Sequence, residues 1–276
     1  MTTVGDLMAP DVVTAELPGA REDVIEVLRG GDISSIPVTK DGVYRGLVSR
    51  EELLSDPDEE QLAMLMREVP TVEATDSVRD CAAVMLEHEE RRLPVVSDTE
   101  VQGIITLTDV VRYIADAEID EDVGEYLEDG VHTVWQDTPV NVVVETITLA
   151  GDTAACVLDD DCEMVGIITE TDCVRLAEID TSAEEVGEGV AGQDDDWMWE
   201  GIQATSTNLV PVSKVTFPDE AVKEYMAADV HTVVSSTDVS DAARRMTDEE
   251  VHHLPVQRGD ALVAMLRDID LLKALD

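Results

Sequence analysis

Four short stretches of this chain can be laid over one another: GLVSREEL (46–53), GIITLTDV (103–110), GIITETDC (166–173) and AMLRDIDL (264–271). Each follows an apolar triplet, respectively Ile36-Pro37-Val38, Leu93-Pro94-Val95, Ala155-Cys156-Val157 and Leu254-Pro255-Val256. Further back stand Thr14, Thr71, Thr133 and Thr232, and before those VGDLM (4–8), LAMLM (62–66), VGEYL (123–127) and VKEYM (222–226). Such a repeat constrains the fold more than composition does. Each copy is one supersecondary unit that must bury its apolar face against a neighbour.

Between the Thr and the triplet each copy carries a helical pattern. Val78, Cys81, Ala82, Met85 and Leu86 fall at i, i+3, i+4, i+7 and i+8, one face of a helix; Val239, Ala242, Ala243 and Met246 repeat the spacing. Asp41-Gly42 at the centre of the following element fits a tight hairpin. The unit therefore reads strand, helix, strand, strand, helix, an α/β (α+β) chain of β-α-β-β-α units. The bounds predicted are 1–58, 59–118, 119–180 and 219–276, with an insert at 181–218. That insert begins as an acidic, helix-leaning segment. It then suggests a hairpin over 194–218, from Trp197, Trp199 and the alternating Leu209, Val210, Val212, Val215 and Phe217. The hairpin is read as a structural extension docked on the core, with a partner-binding surface as the other reading.

The core is aliphatic, with one Phe, and the chain carries 63 acidic against 18 basic residues, a net charge of −45. In dilute buffer this charge opposes compaction, whereas at molar salt the screening length falls to about 3 Å. The aliphatic periodicity argues against disorder. The composition resembles that of a halophilic, salt-accumulating cytoplasm and is expected to be soluble there. It argues against nucleic acid polymers and anionic membranes as partners, since both demand basic patches. Cys81, Cys156, Cys162 and Cys173 form no Cys-x-x-Cys pair and, with five His, match no familiar metal spacing, so reduced, buried thiols are expected.

Thr106 and Asp109 are spaced as a helix capping box. The same helix start could also grip a ligand, because unpaired N–H groups suit phosphate and an ionised carboxylate can accept from both hydroxyls of a sugar. The two roles are compatible. The commonest box ends in Glu or Gln, whereas copies two, three and four end in Asp109, Asp172 and Asp270. Arg91-Arg92 before Leu93, and Arg112 beyond Asp109, read either as a phosphate clamp or as solvated edge charges. His252-His253 read either as a pH-sensitive pair or as surface histidines.

The opening h-x-x-h-M, the V-T stretch, the h-P-V triplet and the G-h-h-[ST]-x-x-D turn together resemble the CBS domain, named after cystathionine β-synthase. The resemblance covers all four copies. It implies two Bateman modules, each a pseudo-two-fold pair of repeats, and a four-domain disc like the γ subunit of AMP-activated protein kinase. It further implies an adenosine-type regulatory ligand (AMP, ADP, ATP, S-adenosylmethionine or similar) and no required cofactor. Carried over residue by residue, copy two offers Thr71, Arg92, Leu93, Pro94, Thr106, Thr108 and Asp109. Copy three offers Thr133, Thr169, Thr171 and Asp172, with Cys156 in place of Pro; copy one offers Thr14 and Ser49, with Glu52 in place of Asp. Copy four offers Asp270, with Arg267 in place of Ser/Thr and Ala264 in place of Gly. The expected order of site quality is two, three, one, four. The function implied is a sensor that reports occupancy to a protein partner, with a second copy of the chain as another candidate partner. The alternative is a ligand-independent scaffold using 194–218. No nucleophile with a positioned base is legible, so no enzyme is expected.

Overall fold

The computed structural model describes residues 2–10, 12–30, 33, 35–49, 52–53, 59–127, 130–176, 178–180, 183–185, 209–211 and 214–275. In repeat one, helical turn α1 (Val4–Leu7) and strand β1 (Ala9–Pro10) precede β2 (Ala15–Glu16), α2 (Arg21–Gly30), β3 (Ser35–Lys40) and β4 (Val43–Ser49). Repeat two runs α3 (Leu62–Leu65), α4 (Val78–His88), β5 (Arg92–Ser97), β6 (Glu100–Thr106) and α5 (Leu107–Asp116). Repeat three runs from a 3₁₀ turn at Val123–Glu125 through β7 (Thr133–Trp135), α6 (Val140–Ala150), β8 (Ala154–Leu158), β9 (Met164–Thr169) and α7 (Glu170–Leu176). In each repeat the first extended stretch pairs parallel with the triplet strand, which pairs antiparallel with the next: β2-β3-β4 and β7-β8-β9 are complete examples.

Of the insert, residues 183–185, 209–211 and 214–218 are described, and the remainder of the acidic segment and of the hairpin expected over 194–218 lies outside the described residues. The described residues at the start of the acidic segment are strands where a helix-leaning segment was expected: β10 (Glu178–Asp180) and β11 (Ala183–Glu185) pair antiparallel with β13 (Lys214–Thr216) and β12 (Leu209–Pro211) respectively. Residues 209–211 and 214–216 thus find their partners upstream, and such pairing overrides local helix preference. Trp197 and Trp199 lie outside the described residues. Repeat four follows with a 3₁₀ turn at Val222–Glu224, α8 (Val239–Asp248), β14 (His253–Arg258), β15 (Ala261–Arg267) and a 3₁₀ segment at Asp268–Leu275.

The opening motif of each repeat docks on its neighbour instead of its own repeat. Val4 N donates to Asp76 O and Gly5 N to Ala74 O, while Arg21 N donates to Glu60 O and Leu62 N to Gly19 O. The second pair of repeats does the same, with Val123 N on Thr237 O and Gly124 N on Ser235 O, and with Val140 N on Glu220 O and Val222 N on Thr138 O. Leu62 and Leu65 accordingly sit in the core of repeat one with Val24, Ile36 and Val48, and Val222 sits in that of repeat three with Val143 and Ile168. This reciprocal exchange is what makes two pseudo-two-fold modules.

The crossing brings backbone against the motif glycines. A Cβ on Gly46 would lie 2.7 Å from Arg67 O, on Gly103 2.7 Å from Ala9 O, and on Gly166 3.0 Å from Ala227 O. In repeat four the glycine has changed strands: Ala264 is bridged to Gly130. Between modules, repeats two and four share one core. Helices α4 and α5 pack on α8 and on the Asp268–Leu275 segment through Val78, Met85, Ile114, Ala243, Met246 and Leu271. Small residues on α8 permit the close approach, and buried Ser240 donates to Ile114 O and accepts from Ile119 N, both at 2.8 Å.

Candidate functional site

The two helix starts that the repeat singled out are built alike. At α5, Asp109 Oδ2 accepts from Thr106 N (2.9 Å) and Thr106 Oγ1 (2.6 Å); at α7, Asp172 Oδ2 accepts from Thr169 N (3.0 Å) and Thr169 Oγ1 (2.7 Å). The cap is therefore real and takes one carboxylate oxygen. The other oxygen faces an arginine one turn on, Arg112 at 3.2 Å and Arg175 at 3.7 Å, whose side chains are 60% and 74% exposed. An arginine so exposed holds its partner weakly. The second oxygen of each Asp is thus available to hydroxyl donors.

These two starts open on one cavity of about 780 Å³. It is lined by Arg92, Thr106 and Thr108 of repeat two, Thr169, Thr171, Asp172 and Arg175 of repeat three, and Ala227, His231, His252 and His253 of repeat four. Arg91 and Thr153 also line it. Three of the five histidines thus collect here, together with Arg91, Arg92 and Arg175, in a chain with 63 acidic and 18 basic residues. Glu170, Asp172, Asp229 and Glu250 supply the opposing charge.

The wall from repeat four is held by a buried carboxylate. Asp268, 3% exposed, accepts from Arg91 Nη1 at 3.0 Å and Nη2 at 2.5 Å, and lies 2.8 Å from His252 Nδ1. Burial alone would raise its carboxyl, but the hydrogen bonds from His252 and Arg91 outweigh it and hold it below the ordinary value. His253 is hydrogen-bonded to Thr153 of repeat three (2.7 Å), and burial pushes its imidazole down to about 4. A neutral His253 therefore ties repeats three and four together at the cavity edge.

Other expected site residues fall elsewhere. Leu93 is fully buried core and Pro94 is paired in β5 with Ile104, so both shape the wall from behind. Thr71, Thr133 and Thr14 do not line the cavity: each precedes or begins a short parallel strand stretch beside the triplet strand. Ser49 is spent on Glu52, and Asp270 is 1% exposed and held by Arg267 and Lys273. Neither faces the cavity. Cys156 stands at a proline position because its N–H donates to His132 O at 2.9 Å, a bond proline cannot make. Burial pushes the Cys81 and Cys156 thiols up to about 12 and Cys173 up to about 11, which leaves them inert. Asp268, Thr153, Arg175 and His231 were not legible as site residues; only the excess of scarce cations near the triplets pointed this way. Among the described residues no group of three His, Cys, Asp or Glu could hold a metal, and no helix is long and apolar enough to cross a membrane.

A family model described as the CBS domain matches the chain four times, at residues 4–58, 62–116, 123–178 and 222–276. The chain is similar to the uncharacterised protein MJ1225 of Methanocaldococcus jannaschii, 24% identical over 229 residues, covering 76% of this chain and 69% of that one. The crystal structure of MJ1225 superposes with a TM-score of 0.70 at 18% identity, covering 99% of this chain and 100% of that one. An uncharacterised conserved protein from Pyrococcus horikoshii superposes with a TM-score of 0.71 at 27% identity, again over 99% and 100% of the two chains.

Proposed function

The chain belongs to the CBS domain family, and from that premise we propose that it is a regulatory sensor, not an enzyme, that binds an adenosine-type ligand in the clefts of repeats two and three. The observation that carries the reading is the pair of half-used carboxylates. Asp109 and Asp172 each cap a helix with one oxygen; Asp172 lines the cavity beside Thr169 and Thr171, whereas Asp109 lies behind the cavity-lining Thr106 and Thr108, its second oxygen accepting from the exposed Arg112 that a ribose hydroxyl would have to displace. A phosphate-bearing ligand such as AMP, ADP or ATP would find charge-assisted donors in the cavity-lining Arg92 and Arg175. The helix start and the carboxylate serve different parts of one nucleotide: N–H groups and arginines take phosphate, and the acceptor-only carboxylate takes sugar.

Both modules wall the cavity, so occupancy changes the balance between their relative positions whenever affinity differs between two arrangements. A protein partner that contacts both modules reads that balance. Repeat three carries exposed apolar side chains, Trp135, Val142 and Leu149, at 50%, 48% and 84% exposure on a strongly acidic chain. The test is calorimetric titration of the full chain with AMP, ATP and S-adenosylmethionine in molar KCl. Asp109→Ala and Asp172→Ala should each remove one site. Lack of binding by all three ligands would refute the reading, and would leave the ligand-independent scaffold reading, with the 194–218 insert as its contact, as the better one.

A further inference from the structure

The four motif carboxylates are not equally available, and among the first three the difference lies in one position on the crossing strand. At that position Ala9 pairs with Ile104, Ala227 pairs with Ile167 and Arg67 pairs with Leu47. The alanines leave space beside the helix starts of repeats two and three, and Ala227 itself lines the cavity. Arg67 instead fills the corresponding space in repeat one. Its Nε lies 2.6 Å from Glu52 Oε1, and its two terminal nitrogens grip the carboxylate of buried Glu90, Nη2 to Oε2 at 2.9 Å. Glu52 Oε2 is already held by Ser49 N at 2.6 Å and by the Ser49 hydroxyl. Both oxygens of the first carboxylate are therefore spent.

Repeat four reaches the same end by another route. Arg267 stands where the other copies have Ser or Thr and folds back on its own carboxylate, Nε to Asp270 Oδ2 at 3.1 Å and Nη2 to Oδ1 at 3.0 Å. Lys273 Nζ adds a contact to Oδ1 at 3.0 Å. A guanidinium offers a carboxylate a planar fork of donors, the demand that a ribose diol would otherwise meet. Being tethered, it competes at an effective concentration that free ligand does not match.

We propose that Arg67 and Arg267 are resident substitutes for ligand: they close the first and fourth clefts and limit the chain to one adenosine-type ligand per module. The proposal rests on the reading of repeats two and three as ligand clefts. Calorimetric titration of the full chain in molar KCl, with AMP and ATP as probes, tests both. Wild type should bind two equivalents. Arg67→Ala should bind a third, lost again on adding Glu52→Ala. Because Arg67→Ala strands two carboxylates, Arg67→Ala with Glu90→Gln is the parallel variant, and circular dichroism checks its fold. Three or four equivalents on wild type, or a folded Arg67 variant that stays at two, would overturn the proposal. If wild type binds neither probe and the variant binds one, the closure stands and the reading of repeats two and three falls. If neither protein binds, both fall.

Discussion

Arg91 and Asp268 stand 177 positions apart and meet in a two-pronged ion pair, Nη1 to Oδ1 at 3.0 Å and Nη2 to Oδ2 at 2.5 Å. Arg91 belongs to repeat two and Asp268 to repeat four, so the pair joins the modules where their helices share a core. His252 reaches the same carboxylate from the cavity side. The lock and the candidate site thus use the same groups.

Asp268→Asn should cost about 2 kcal/mol, the scale of hydrogen bonds to a charged group. The loss is not larger because Arg91 is 43% exposed and regains water when released. Urea unfolding in molar KCl measures it. Arg91→Ala should cost a similar amount, and the double variant little more, since both remove one interaction.

Acidification should weaken the fold in a window set by His253. Burial depresses its imidazole to about 4 from 6.5. A group depressed in this way contributes stability that is complete above its unfolded value and is lost as pH falls toward the folded one. The window therefore runs from pH 6.5 down to 4, with a full loss on the order of 3 kcal/mol. Asp268, held below 3.8, acts in the same sense at lower pH. Urea midpoints across the window should flatten in His253→Gln, which keeps a polar partner for Thr153.

Leu62→Ala should destabilise repeat one more than repeat two. The side chain is 1% exposed and sits among Val24, Ile36 and Val48, so its truncation should cost about 2–5 kcal/mol. Amide exchange should rise first in β3 and β4. An equal rise in β5 and β6 would contradict the exchanged docking.

Gly103→Val should cost about 1–3 kcal/mol through overpacking, because its Cβ would meet Ala9 O at 2.7 Å and Met8 Sδ at 2.8 Å. Ala264→Gly should be tolerated better, since Gly130 already makes room on the opposite strand. Thermal midpoints of the two variants in the same KCl buffer compare them.

The repeat and its β-α-β-β-α order were legible because apolar periodicity is local. The capping boxes were legible for the same reason: Thr106 and Asp109 lie three positions apart and need only one turn of backbone to meet. The pairing of 178–180 and 183–185 with 214–216 and 209–211 was not legible, because it is decided by a distant partner. The opening motifs were seen, but the repeat that each one completes was not.

By itself the sequence determined the unit, its four copies and the residue types at each helix start, since spacing along one chain sets which side chains share a turn. Tertiary structure alone decided which starts remain open. Arg267 beside Asp270 already set the fourth start apart in the sequence, but only the fold shows that it turns back onto that carboxylate and that Glu52 is closed by Arg67 arriving from the next repeat. The reason is physical: a carboxylate's availability depends on what occupies the space in front of it. In this fold that space holds an arginine from the exchanged strand of the neighbouring repeat at Glu52, an arginine of the same repeat at Asp270, and the cavity between two modules at Asp172.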